Sequence, residues 1–215
     1  DTLFWKYLKN SFIVKGKFLK EQFYTVLEVM ASVFVKHQID EKSIMNLGSG
    51  ENGKSVMLDY LSALLGKNNI SHIPLQVLSE DKFASAKLDG KLANIFADLE
   101  KNELRHTGII KVISSGESIF SQNKGVSGFD LYPICKLIFS TNKFPKVFDQ
   151  TQGFFRRWII IKWLRNFEND PDRIDKLKEH LLDNEDEKNM VFSSLLIIAA
   201  KLNVNGKFTH DQDWK

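Results

Sequence analysis

The 215 residues carry 43% apolar and 27% charged side chains and a net charge of +3, the balance of one globular domain with a small extension rather than a disordered or fibrous chain. The single cysteine, Cys135, excludes an internal disulfide and reads as a buried core thiol, while five scattered histidines lack the spacing of a zinc site. No apolar run approaches the ~18 residues of a bilayer span, so no membrane contact and an intracellular location are expected, and the start at Asp1 rather than Met suggests a piece of a longer polypeptide.

Leu3, Phe4, Trp5, Tyr7, Leu8, Phe12 and Ile13 predict a short helix, and Gly16 interrupts it. Leu19, Phe23, Val26, Leu27, Met30, Val33 and Phe34 then recur at helical spacing to about residue 37. Residues 1–40 therefore read as a helical N-terminal extension packed on the main domain.

The core, 41–165, opens with the apolar run 44–47. Gly48-Ser49-Gly50-Glu51-Asn52-Gly53-Lys54-Ser55 follows, then a helical pattern over 56–65 that stops at Gly66. Strand, G-x-x-x-x-G-K-S, helix is the full P-loop pattern in its required context. The loop, from Gly48, Gly50, Glu51, Asn52 and Gly53 to Val56, turns backbone N–H groups around a triphosphate, and the new helix points its positive end at that anion. Lys54 would reach the β- and γ-phosphates of ATP, and Ser55 would ligate Mg²⁺.

Three further apolar runs, 92–97, 137–139 and 158–161, are bounded by polar or glycine-containing stretches, with helical patterns between some of them. This alternation predicts an α/β fold with a mostly parallel, buried sheet flanked by helices. Ligands of such sheets sit at the carboxyl ends of the strands, and those ends carry the P-loop, Asp98 and Asn142. Asp98-Leu99-Glu100 closes the second run. In an extended segment residues i and i+2 share a face, so Asp98 is expected to hold Mg²⁺ and Glu100 to orient or deprotonate the attacking water. Asn142 can accept from water and donate to a γ-phosphate oxygen, or simply start the turn before Pro145.

The stretch 108–119 predicts a helix broken at Gly116, and 121–129 a hairpin with Lys124 beside Gly125 at its tip. Lys124 could approach a nucleic-acid backbone there, although a single lysine on a loop is usually just solvated; Lys111 on the preceding helix is the next candidate. Arg156 and Arg157 precede the fourth strand, at the end of the sheet away from the P-loop. An arginine so placed can reach a phosphate held by a neighbouring subunit, or form a solvated basic turn. Asp170-Pro171 predicts a helix start, with Ile174, Leu177, Leu181 and Leu182 on one face. The stretch 190–202 is apolar nearly all round and is expected to be buried. Residues 166–215 thus read as a helical C-terminal segment.

The order P-loop, D-x-E, lysine-bearing helix broken at Ser-Gly-Glu, basic hairpin, Ser-Thr-Asn and Gly-Phe-Phe-Arg-Arg resembles superfamily 3 helicases, in particular the phage, plasmid and virus primase–helicase group with its poxvirus members. Residues 44–163 carry the motifs. The resemblance implies a P-loop NTPase core of AAA+ type that hydrolyses ATP with Mg²⁺ at the interfaces of a homo-oligomer, a hexameric ring around single-stranded DNA, in association with a primase. It implies a cytoplasmic setting in a prokaryotic or virus-infected cell. It assigns Lys54 and Ser55 to Walker A, Asp98 and Glu100 to Walker B, Asn142 to sensor 1, Lys124 to the DNA-binding hairpin and Arg157, or alternatively Arg156, to the arginine finger. Many P-loop ATPases place the two Walker B acids in adjacent positions; here Leu99 separates them. Two other classes compete: a P-loop nucleotide or small-molecule kinase, which would need an arginine-rich lid that the sequence does not display, and a non-helicase AAA+ remodelling ATPase or silent assembly module.

Overall fold

The computed structural model describes residues 2–99 and 103–209. In chain order the elements are α1 (Leu3–Ser11), β1 (Ile13–Val14), β2 (Lys17–Phe18), α2 (Lys20–Ser32), β3 (Ser43–Leu47), α3 (Lys54–Leu65), β4 (Ile70–Ser71), α4 (Leu75–Glu80), β5 (Ala93–Phe96), α5 (Gly108–Ser115), β6 (Ile119–Ser121), β7 (Phe129–Leu131), β8 (Lys136–Thr141), α6 (Gln152–Phe155), β9 (Trp158–Lys162), α7 (Leu177–Asp183) and α8 (Glu185–Asn205). Five strands form one parallel sheet in the order β4-β5-β8-β3-β9.

The apolar runs become strands because both faces of the sheet are covered. Register aligns Ile95, Ile138, Ile44 and Ile159 in one row across four strands. All four belong to the core shared with α1, α2, α3 and α8. The next row, Phe96, Phe139, Met45 and Ile160, points to the opposite face, as the two-residue period of a strand requires, and packs with α4, α5 and Trp158. Every residue of the central β8 is buried. The four strands expected from the sequence are present; β4, a two-residue edge strand, and the β1–β2 hairpin are additions.

The N-terminal helices are tied into this body rather than appended to it. Glu187 is 2% exposed, and its carboxylate accepts from Phe4 N at 2.6 Å. It thereby satisfies an orphan donor at the start of α1 with a negative charge, the sign favoured at a helix N-terminus. Glu187 is itself the third residue of α8, whose cap Asn184 accepts from Glu187 N at 3.0 Å and donates to its carboxylate at 3.4 Å. Phe4 stacks on Tyr60 of α3 at 4.5 Å, and Phe12 packs on Trp163 at 4.9 Å. These contacts fix α1 beside the P-loop.

Two helical expectations change. No helix begins at Asp170, because its carboxylate is gripped by Arg165 (Nε to Oδ2 2.8 Å, Nη2 to Oδ1 2.7 Å) and accepts from Asp172 N; the chain turns until α7 starts at Leu177. The stretch 190–202 is buried on one side only. Val191, Leu195, Ala199 and Leu202 face the core, whereas Met190, Leu196 and Ile197 are exposed, since α8 is an outer helix packed chiefly on α2. Cys135 is fully buried, and burial pushes its thiol up to about 12. No described helix is long and apolar enough to cross a membrane.

Candidate functional site

The P-loop follows β3 directly and turns into α3 at Lys54. Its conformation needs glycine at two places for different reasons. Gly53 has φ +88°, and an added Cβ would stand 2.9 Å from the Tyr7 ring. A Cβ on Gly48 would stand 2.1 Å from Asn52 Nδ2 and 2.7 Å from Trp163 O. The loop is pinned from both flanks. Tyr7 Oη donates to Gly53 O at 2.7 Å, and Asn52 Nδ2 donates to Trp163 O at 3.3 Å. Trp163 in turn donates through Nε1 to the buried Asn46 Oδ1 of β3 at 2.9 Å.

Lys54 is 5% exposed. Its ammonium donates to Gly48 O at 2.5 Å and to Asn52 Oδ1 at 3.3 Å. Burial lowers its pKa, and the nearby charge of Asp98 works the other way. A partly desolvated ammonium resting on loop carbonyls is poised to exchange them for an anion.

Asp98 and Asn142 line the same pocket of about 470 Å³ as Gly50 through Val56. Parallel pairing explains the convergence. β3 and β8 end together, with Leu47 opposite Thr141, and β5 ends two residues earlier, with Phe96 opposite Phe139, so the residues that follow the three strands meet above one edge. Asp98 departs from the expected geometry: β5 ends at Phe96, and Asp98 has φ +58°. The shared-face argument for two extended residues therefore does not apply to it, and Glu100 lies outside the described residues. Leu99 N returns to the ladder by donating to Ser140 O at 3.0 Å.

The other candidates lie elsewhere. Register puts Trp158 opposite Ser43, the first residue of β3, so Arg156 and Arg157 sit at the amino end of the sheet, away from their own P-loop. Arg157 is not a solvated turn residue: it donates to Gly153 O at 2.5 Å and to Ser115 Oγ at 3.1 Å, and lies 3.2 Å from Glu41. Only 13% of its side chain is exposed, against 58% for Arg156, which pairs with the same Glu41 at 2.9 Å. Lys111 is 2.5 Å from Asp149. Burial works against the Asp149 carboxylate, but bonds from Lys111, Thr107 and Thr151 hold it well below the usual range. Lys124 is exposed at the tip of the β6–β7 hairpin, which also exposes Val126 and Phe120.

A second wall of the pocket was not anticipated. Tyr7 and Asn10 come from α1, and Phe167, Arg173, Ile174 and Lys176 from the irregular connection after β9. Charges on an irregular turn have no period, and only the fold brings them to the P-loop.

A family of unknown function, DUF5906, matches residues 47–157, just over half of the chain. The chain belongs to that family. It is 22% identical over 177 residues to the Acanthamoeba polyphaga mimivirus protein named "Putative helicase L207/L206", an alignment that covers 79% of this chain and 18% of that protein. Two solved structures of the C-terminal region of NrS-1 share the fold. The apo structure of 305–718 gives a TM-score of 0.68 at 13% identity over 96% of this chain and 52% of that one, and the A form apo structure gives 0.66 at 15% over 92% and 47%. This DUF5906 chain thus spans 18% of the length of its curated relative and about half of the NrS-1 region.

Proposed function

We propose that this chain is the ATP-driven motor of a DNA helicase, of the superfamily 3 type with an AAA+ core. The observation that carries the reading is the convergence of Lys54, Ser55, Asp98 and Asn142 on one pocket at the carboxyl ends of three parallel strands. A motor needs those groups together: a cation and backbone donors for the phosphates, a hydroxyl and a carboxylate for the metal, and an amide near the terminal phosphate. The name of the mimivirus relative points the same way.

The donor set fits ATP with Mg²⁺. Ser55 and Asp98 would hold the ion, which takes few protein oxygens and is otherwise served by phosphate and water, and when bound it supplies charge neutralisation on the phosphates. Lys54 neutralises the β- and γ-phosphates, Asn142 orients the attacking water, and Glu100 acts as its base. Arg156 or Arg157, remote from its own pocket, completes the site of a neighbouring subunit. That arrangement calls for a homo-oligomer, read as a hexameric ring on single-stranded DNA and associated with a primase. Lys124, on its exposed hairpin, contacts the DNA backbone.

The decisive measurement is steady-state ATP hydrolysis with and without single-stranded DNA, with Lys54→Ala as the control. DNA-stimulated turnover that disappears in Lys54→Ala is expected. Turnover indifferent to DNA would sink the helicase reading in favour of a kinase or a remodelling ATPase.

A further inference from the structure

The phosphate-binding loop carries an acid. Glu51 sits among its glycines with φ +49° and lines the same pocket as Lys54. A carboxylate there repels a polyphosphate unless a cation offsets it. Arg173 Nη1 lies 3.6 Å from Glu51 Oε2. Arg173 reaches the site from the connection between β9 and α7, a segment anchored independently of this pair. Phe167 N donates to Glu51 O at 2.7 Å, and Arg165 grips Asp170, Asp172 (2.6 Å) and Asn10 O (2.9 Å).

The backbone that delivers Arg173 is therefore held, while its guanidinium is held loosely. The side chain is 48% exposed, and its other contacts are Glu168 O at 3.2 Å and Asp175, itself 96% exposed, at 3.9 Å. Ion pairs of this exposure are weak and exchange readily. The neighbouring cations are placed differently: Lys178 is 2.6 Å from Asp59 on α3, and Lys176 is 3.9 Å from Glu179.

We propose that Arg173 is a ligand of the nucleotide's phosphate chain, and that Glu51 is the internal anion that occupies it until a nucleotide arrives. On binding, the guanidinium exchanges one carboxylate for phosphate oxygens, which its forked donors grip in pairs. The inference rests on the reading of the pocket as a nucleotide site, and it gives the two residues opposite signs. Removing Arg173 deletes a ligand; neutralising Glu51 deletes a competitor. A pair that merely clipped the connection to the P-loop would make both changes harmful.

The test is equilibrium titration of the whole chain with N-methylanthraniloyl-ADP, monitored by fluorescence. Arg173→Ala should weaken binding about tenfold, the scale of one charge-assisted hydrogen bond. Arg173→Lys, which keeps the charge and loses the fork, should recover part of that loss. Glu51→Gln should tighten binding, by roughly two- to fivefold for an exposed pair. If the parent chain binds and Arg173→Ala binds equally well, the proposal fails alone. If Glu51→Gln weakens binding alongside Arg173→Ala, the pair is a structural clip and the proposal again fails. If the parent chain binds no nucleotide, the reading of the pocket falls first and this inference falls with it.

Discussion

Two lysines are buried at opposite ends of the sheet, and they look alike chemically. Lys54, at the carboxyl end of β3, is 5% exposed; Lys136, the first residue of β8, is 2% exposed. Each rests its ammonium on backbone carbonyls, Lys54 on Gly48 O at 2.5 Å and Lys136 on His37 O at 2.6 Å and Ile134 O at 3.3 Å. Burial lowers the pKa of both, that of Lys136 to about 8. Yet Lys54 opens onto a pocket that also holds Asp98 and Asn142, while Lys136 ties β8 to the connection between α2 and β3. A perturbed pKa therefore does not mark a functional lysine by itself. The polarity of the parallel sheet separates the two, since ligands collect at the carboxyl ends.

The sharpest way to break this contrast is Lys54→Ala. Loss of the phosphate cation should lower ATP turnover by at least about 10²-fold. Removing a buried, desolvated charge should leave the thermal midpoint close to that of the parent. Turnover within a few-fold of the parent would remove Lys54 from the phosphate site.

The arginines at the amino end give the next largest effect. Arg157 is held by Gly153 O, Ser115 Oγ and Glu41, so Arg157→Ala should cost about 1–3 kcal/mol of stability in urea unfolding. Arg156 is mostly exposed, and Arg156→Ala should stay within about 0.5 kcal/mol. Arg156 can reach a neighbour without unmaking its own subunit. Mixed with Lys54→Ala chains, Arg156→Ala chains should therefore recover part of the ATPase activity, because one supplies the arginine and the other the intact P-loop. Recovery with Arg157→Ala instead would reverse the assignment.

Much of the carboxyl end was legible in the sequence because its signals are local. The P-loop spells out its own turn, the four apolar runs mark buried strands, and Gly116 stops α5 as a left-handed cap. What escaped depends on partners distant in the chain. β4 is too short to show a period, and it exists because Ile70 and Ser71 pair with Ala93 and Asn94. The Asp170-Pro171 signal was overridden by Arg165. The 190–202 stretch of α8 was expected to be buried from composition alone, yet among the described residues Met190, Leu196 and Ile197 stay exposed. The wall formed by Tyr7, Phe167 and Arg173 could not be read, since it joins both extensions across the P-loop.

A smaller effect is expected at the hairpin, away from both ends of the comparison. Lys124→Ala should weaken single-stranded DNA binding with little change in basal ATPase. One phosphate contact changes the salt dependence by about 0.7 in the log–log slope on single strands. An unchanged slope and affinity would place the DNA elsewhere, and Lys111, held by Asp149, would first have to leave its partner to take over.

The smallest effect returns to Lys136 and completes the contrast. Its folded-state pKa of about 8 lies below the ordinary 10.5, so between those values the unfolded chain binds more protons than the folded one, and stability rises with pH. Cys135 acts in the opposite sense: raised from 9.0 to about 12, its thiol keeps a proton that the unfolded chain loses, so stability falls above about pH 9. Tyr7 and Tyr60, both pushed up by burial, add to that fall from about pH 10. The window in which Lys136 acts by itself among these groups is therefore pH 8–9, and one proton limits the slope to about 1.4 kcal/mol per pH unit. Urea unfolding of the parent should show stability rising across that unit. In a Lys54→Ala background, which removes the other lysine whose pKa burial lowers, Lys136→Met should abolish the rise, because no buried ammonium with a lowered pKa remains to be discharged. A rise that survives the substitution would assign it to another group, and a parent without any rise would mean that the carbonyls of His37 and Ile134 compensate the burial of the charge completely.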